Sequence, residues 1–211
     1  MAKEAQVRSR SAKPWSDLTI RQRCKIVAAA RFSIACQVDN LTRLCESDQR
    51  TDSLETVTAE LFPLCDSLKY LGRRGAAILR PRRLGVLGRP IWMWGVQSIV
   101  RREPHGTVLI LGTWNYPLLL IGVQLAHALA AGNRVLLKPA PGCETLTTKL
   151  VECFYDAGVP SDTLVQLDSS VDAASRVLNP TDDAPPSERV DLVVLTGAAN
   201  TGQKVLEQTA G

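Results

Sequence analysis

Residues 103–142 read EPHGTVLILGTWNYPLLLIGVQLAHALAAGNRVLLKPAPG. An apolar run, Thr107–Leu111, stops at Gly112, and a second with helical spacing begins at Pro117. A third, Arg134–Lys138, ends at Pro139. Strand, helix, strand, with no polar alternation inside the strands, is the pattern of parallel strands buried on both faces. The rhythm continues with the short apolar runs TLVQL (163–167) and DLVVLTG (191–197). Helical stretches fall between them at 144–157 and 171–178, and a last helix starts near Asn200. The expectation is an α/β fold, a parallel sheet with helices on both faces. Ligands on such sheets bind beyond the carboxyl ends of the strands. The loops there are GTWNYP (112–117), KPAPGCE (138–144), DSS (168–170) and TGAANTG (196–202). The segment NPTDDAPPSER (179–189) reads as an irregular surface loop.

Upstream the pattern is helical. Ile20, Cys24, Val27, Ala30, Ile34, Val38, Leu41 and Cys45 recur at steps of three and four, one stripe of a long amphipathic helix capped by Ser16 or Asp17. Leu54, Val57, Leu61, Leu64, Leu68 and Leu71 form a second stripe after Asp52, with Glu55 placed as in a capping box. Pro63 is expected to kink or divide that helix. The Gly- and Pro-containing stretch 73–106 predicts a β-hairpin with arms at 92–94 and 97–101 and a turn near Gly95.

Composition limits the function classes. The hydrophobic fraction of 45%, with 22% charged residues, is that of a soluble globular chain. A net charge of +4 does not point to nucleic acid, and the arginine-rich run 73–102 lacks interleaved aromatics on a recognisable binding module. Six cysteines without a C-x-x-C pair, and two histidines, His105 and His127, predict no metal site. Buried, reduced thiols in a cytoplasmic protein are the expectation. The basic stretch MAKEAQVRSRSAKPW has no apolar segment behind it, so no secretory signal is expected. The longest apolar run, 116–123, is too short to span a bilayer, so no membrane partner is expected.

Three loops carry candidate chemistry. Asn115, between Trp114 and Tyr116 and two residues before Pro117, either caps the following helix or aims an amide at a developing oxyanion. Lys138, followed by Pro139, either emerges to solvent at the strand end or donates to ribose hydroxyls or phosphate. In TGAANTG, Gly197 and Gly202 flank a helix start. The segment is a plain turn into a helix or a phosphate-approaching one, and it matches neither G-x-G-x-x-G nor a Walker A motif.

Together EPHGTVLILGTWNYPLLL, ALAAGNRVLLKPAPG and LVVLTGAANTG, with their spacings, resemble the N-terminal half of the aldehyde dehydrogenase superfamily over residues 15–211. The segments LRPRRLG and GRPIWMWG resemble a bacterial-type branch. The resemblance implies a Rossmann-like parallel sheet, preceded by N-terminal amphipathic helices and the hairpin. Residues 1–103 would pack on a partial NAD(P)-binding domain at 104–211. It implies that Asn115 donates its amide to the oxyanion formed when a catalytic Cys attacks an aldehyde, with Trp114 and Tyr116 framing the junction of the cofactor and substrate pockets. Cofactor-binding residues implied are Thr113, Trp114, Lys138, Pro139, Gly197, Ala198 and Gly202. Lys138 would meet the adenosine ribose of NAD or NADP, and the helix after Gly197 the pyrophosphate. The implied partner is an aldehyde substrate, and the full-length form would be a homo-oligomer.

Departures from the family pattern refine this. Pro141 stands where many members carry a Glu that favours NAD, so NAD and NADP both remain. Ala198 replaces a common Ser. The family's general-base Glu and nucleophilic Cys lie downstream of the TGAANTG equivalent, and the sequence stops nine residues after Gly202. None of the six cysteines matches the nucleophile position. The expected function is the N-terminal part of an NAD(P)-dependent aldehyde dehydrogenase, an oxidoreductase that turns an aldehyde into a carboxylic acid, inactive as this chain alone. The alternative is a non-catalytic nucleotide-binding or interaction module derived from that fold.

Overall fold

The computed structural model describes residues 14–46, 52–85, 87–180 and 189–209. The basic N-terminal stretch before Pro14 and most of the 179–189 loop lie outside them. The sequence stripe at 20–45 folds as two helices, α1 (Ile20–Cys36) and α2 (Val38–Cys45), rather than one. The turn between them falls at Gln37, whose N–H still reaches Ser33 and Ile34. No Gly or Pro marks that position, and the apolar stripe continues across it: Val27, Ala30, Ile34 and Leu41 are all fully buried. The cap also differs from expectation. Thr19, not Ser16 or Asp17, accepts the Gln22 N–H, and the Gln22 side chain returns to the Thr19 N–H.

Asp52 caps the second stripe through the Leu54 N–H. The helix runs through α3 (Ser53–Thr56) and a π turn (Val57–Leu61) into α4 (Phe62–Leu79). Pro63 sits in the first turn of α4, where its missing N–H costs nothing. It therefore divides the helix at the π turn. The hairpin exists with a different first arm. Strand β1 (Arg82–Leu84) pairs antiparallel with β2 (Ser98–Val100), while Ile91–Met93 forms a 3-10 turn in the connection. Pro90 pre-sets that turn, which keeps 92–94 out of a ladder.

The sheet is four parallel strands in the order β5-β4-β3-β6, namely β5 (Leu164–Gln166), β4 (Arg134–Lys138), β3 (Thr107–Leu111) and β6 (Leu192–Leu195). Helices α5 (Pro117–Ala131), α6 (Glu144–Asp156), α7 (Val171–Leu178) and α8 (Ala199–Thr209) connect or follow them. Strand alternation assigns the faces. Val108, Ile110, Val135, Leu137 and Leu164 join a core with α1, α4, α5 and α6. Leu109, Leu111 and Leu136 turn the other way, toward Ala174 of α7 and Val205 of α8. The sheet is thus covered on both faces, as a buried parallel sheet requires.

Helix α5 lies between the N-terminal helices and the sheet, and both its ends are held by other elements. At its carboxyl end Arg23 donates to the carbonyls of Ala130 (3.2 Å) and Ala131 (3.3 Å), and the Trp15 indole N–H to Leu129 (3.0 Å). A guanidinium there complements the negative end of the helix dipole. Gly132 closes the helix at φ 105°, and a Cβ on it would stand 2.9 Å from the Arg23 Cζ. At the amino end the Glu60 carboxylate does the converse work.

Candidate functional site

Register places the candidate loops. Leu111 is paired with Lys138 on one side of β3 and with Leu195 on the other. The loops after β3, β4 and β6 therefore leave the sheet at one level. The chain moves from β3 to β4 on one side and returns to place β6 on the other, so β3 and β6 flank the switch point where open sheets form a crevice. Gly112 makes the approach possible. Its N–H donates to the Lys138 carbonyl at 2.8 Å, and a Cβ would lie 2.9 Å from that oxygen.

A cleft of about 440 Å³ opens there, lined among others by Thr113, Trp114, Lys138, Gly197, Ala198 and Thr201. Two expected residues stand outside its lining. Pro139 is buried, and its carbonyl accepts the Lys138 ammonium at 3.2 Å. Gly202 lies within the first turn of α8, its N–H on the Ala198 carbonyl, and borders a separate flank beside β6. Behind the cleft, the Gln124 amide of α5 donates to the Thr196 hydroxyl at 2.8 Å, tying the β6 loop to that helix.

Asn115 faces a second, smaller pocket of about 290 Å³, with Tyr116, Pro117 and Cys143. Trp114, 65% exposed, borders both pockets. The alternative in which Asn115 caps α5 does not hold. The fully buried Glu60 of the π turn accepts the N–H groups of Leu118 (2.7 Å) and Leu119 (3.1 Å) through one carboxylate oxygen. Pro117 has no N–H, so the donors of the first turn are already taken.

Electrostatics separate the two pockets. Burial pushes the Lys138 ammonium below the ordinary lysine value, against the opposing pull of Asp168 and Glu144. Burial, then the nearby carboxylates of Glu144 and Glu60, push the Cys143 thiol up, so it stays protonated at neutral pH. Burial likewise raises the thiols of Cys24, Cys65 and Cys153, whereas Cys36 is exposed, contrary to the expectation of buried thiols.

Sequence reasoning missed Glu60, Glu144 and Asp168. Glu60 had a signal: it lies three residues after Val57 and four before Leu64, on the buried stripe. Glu144 and Asp168 stood in loops already named: Glu144 ends the loop that Lys138 begins, whereas only the β4–β5 ladder brings Asp168 to Lys138.

The family model described as the aldehyde dehydrogenase family matches residues 1–211. Among curated proteins, a 4,4'-diapolycopene aldehyde oxidase of Methylomonas sp is 29% identical over 204 residues, covering 95% of this chain and 36% of that protein. A 4,4'-diapolycopene-4,4'-dial dehydrogenase of Cytobacillus firmus is 30% identical, covering 91% and 40%. Among solved structures, an NAD-dependent aldehyde dehydrogenase from Sinorhizobium meliloti superposes with a TM-score of 0.77 at 24% identity, covering 95% and 37%. The chain thus spans between 36% and 40% of the length of these relatives.

Proposed function

This chain belongs to the aldehyde dehydrogenase family, and on that premise we propose that it supplies the cofactor cleft and the oxyanion donor for NAD(P)-dependent oxidation of an aldehyde to a carboxylic acid. Residues 1–103 act as the helical support and residues 104–211 as the cofactor-binding unit. One observation carries the reading: Trp114 borders two pockets, with Lys138 in the larger and Asn115 in the smaller.

The residues present suit a dinucleotide. Lys138 offers a half-buried ammonium to the adenosine ribose, and the start of α8, beyond Gly197 and Ala198, offers N–H groups and a positive dipole end to the diphosphate. Carboxylates near the ammonium, Glu144 and Asp168, suit ribose hydroxyls better than an added phosphate, which favours NAD over NADP. When bound, the nicotinamide supplies the hydride acceptor.

The protein's own part is positioning and charge stabilisation. When a thiolate adds to an aldehyde carbon, the carbonyl oxygen gains the negative charge. The Asn115 amide, in the lining of the smaller pocket, donates its N–H to that oxygen. Trp114 borders both pockets, at the junction where cofactor and aldehyde would meet. The thiolate is not one of the six cysteines: Cys143, beside Asn115, is held protonated, Cys24, Cys45 and Cys153 are buried, and neither Cys36 nor Cys65 lines the Asn115 pocket. The 211 residues by themselves therefore give no turnover.

The test is Asn115→Ala and Asn115→Asp in a protein that joins these residues to an aldehyde dehydrogenase catalytic half. Loss of an oxyanion donor should cut turnover by ~10²-fold or more in both. Near-normal turnover with Asp would leave Asn115 without a donor role.

A further inference from the structure

We propose that Glu60 is a positioning residue for Asn115, acting from the π turn of a different helix through the backbone of α5; this rests on the reading of Asn115 as the oxyanion donor. Glu60 is fully buried, and burying a carboxylate is costly unless charge and hydrogen bonds compensate it. Compensation comes from the amino end of α5, where Leu118 and Leu119 direct their N–H groups onto Oε2 and the helix dipole places partial positive charge. Asn115 lies three residues before Leu118, on the short loop that enters α5. On its other side the Asn115 N–H is turned back toward the Thr113 hydroxyl at 3.4 Å. The N-cap residue Tyr116 makes no side-chain cap hydrogen bond, and the Leu118 and Leu119 N–H groups go to Glu60 instead. The first turn of α5 is therefore anchored from another helix.

Glu60 sits in the π turn over Val57–Leu61, ahead of Pro63, and from there its carboxylate meets the amino end of α5. Arg23 holds the far end of the same helix, so α5 is fixed along its axis between two buried opposite charges supplied by the N-terminal helices. Asn115 thus inherits its place from residues that line neither the cofactor cleft nor the strand ends.

The experiment uses the 211-residue chain labelled for nuclear magnetic resonance, so it does not depend on turnover. In Glu60→Gln the acceptor oxygen remains but the charge is lost. Amide exchange at Leu118 and Leu119 should accelerate ~10-fold or more, as for loss of a charge-assisted hydrogen bond. The Asn115 side-chain amide resonances should move, while those of Val135–Leu137 in β4 stay. Unchanged exchange at Leu118 and Leu119, or unmoved Asn115 resonances, would overturn the proposal. Should the variant not fold, the unsubstituted chain still decides: scalar coupling across the hydrogen bonds must connect the Leu118 and Leu119 amides to the Glu60 carboxylate carbon, and its absence overturns the assignment. Because turnover is not read, this result is independent of whether Asn115→Asp sustains catalysis.

Discussion

Leu111 and Lys138 are register partners in the parallel pair β3–β4, and the backbone continues the pairing one step further, from the Gly112 N–H to the Lys138 carbonyl. This relationship brings Lys138 and the loop carrying Asn115 to one end of the sheet. Because Lys138 and the start of that loop belong to adjacent paired strands with buried centres, the ladder sets where the loop begins.

Arg23 is predicted to be a stability hinge for α5. Arg23→Met keeps much of the apolar stem but strands the carbonyls of Leu18, Ala130 and Ala131. Buried acceptors left unsatisfied should cost about 2–4 kcal/mol of unfolding free energy, measured by urea denaturation. A change within ~0.5 kcal/mol, the size of an ordinary surface substitution, would show that the clamp is energetically idle.

Cofactor affinity should weaken with rising pH earlier than an ordinary lysine would dictate. Burial lowers the Lys138 pKa below 10.5, so the ammonium that would hold the ribose is lost at a lower pH than in the unfolded chain. Between the two values the unfolded chain binds more protons, so this group favours folding increasingly as pH rises, opposite in sign to its effect on binding. Calorimetric titration with NAD at stepped alkaline pH checks this. The decline should disappear in Lys138→Ala, and a decline of the same shape there would assign it to another group.

The 211-residue chain should self-associate through the flank beside β6. Among the described residues β6 pairs on one side only, and Leu206 on α8 is 69% exposed beside it. Unpaired edges and apolar patches promote association. Light scattering over a concentration series should show growth of larger species, reduced by Leu206→Lys. A clean monomer throughout would contradict the prediction.

Much of this was legible in the sequence, for identifiable reasons. The runs 107–111, 134–138 and 163–167 are continuous and apolar because both faces of the sheet are covered, and Pro117 and Gly132 mark the ends of α5. The front was less legible where no residue type signals the event. Gln37 turns the chain without Gly or Pro, and the tryptophans at 92 and 94 look like strand residues but sit around a 3-10 turn opened by Pro90. At the site, the loops carrying Asn115 and Lys138 could be named because strand ends are predictable. Glu60 stands out as a charge on an apolar stripe, but its role as the cap of α5 does not, because its partners lie 58 residues away and more.

Whether the cleft between the ends of β3, β4 and β6 holds a dinucleotide by way of Lys138 is tested by an NAD titration of the isotopically labelled chain, followed residue by residue and repeated with Lys138→Ala. Saturable shifts are expected at Thr113, Lys138, Gly197 and Ala198, with affinity clearly reduced in the variant. No saturable shifts at those residues, shifts centred instead on the groove between Ile20, Arg83 and Arg101, or equal affinity in Lys138→Ala, would contradict it.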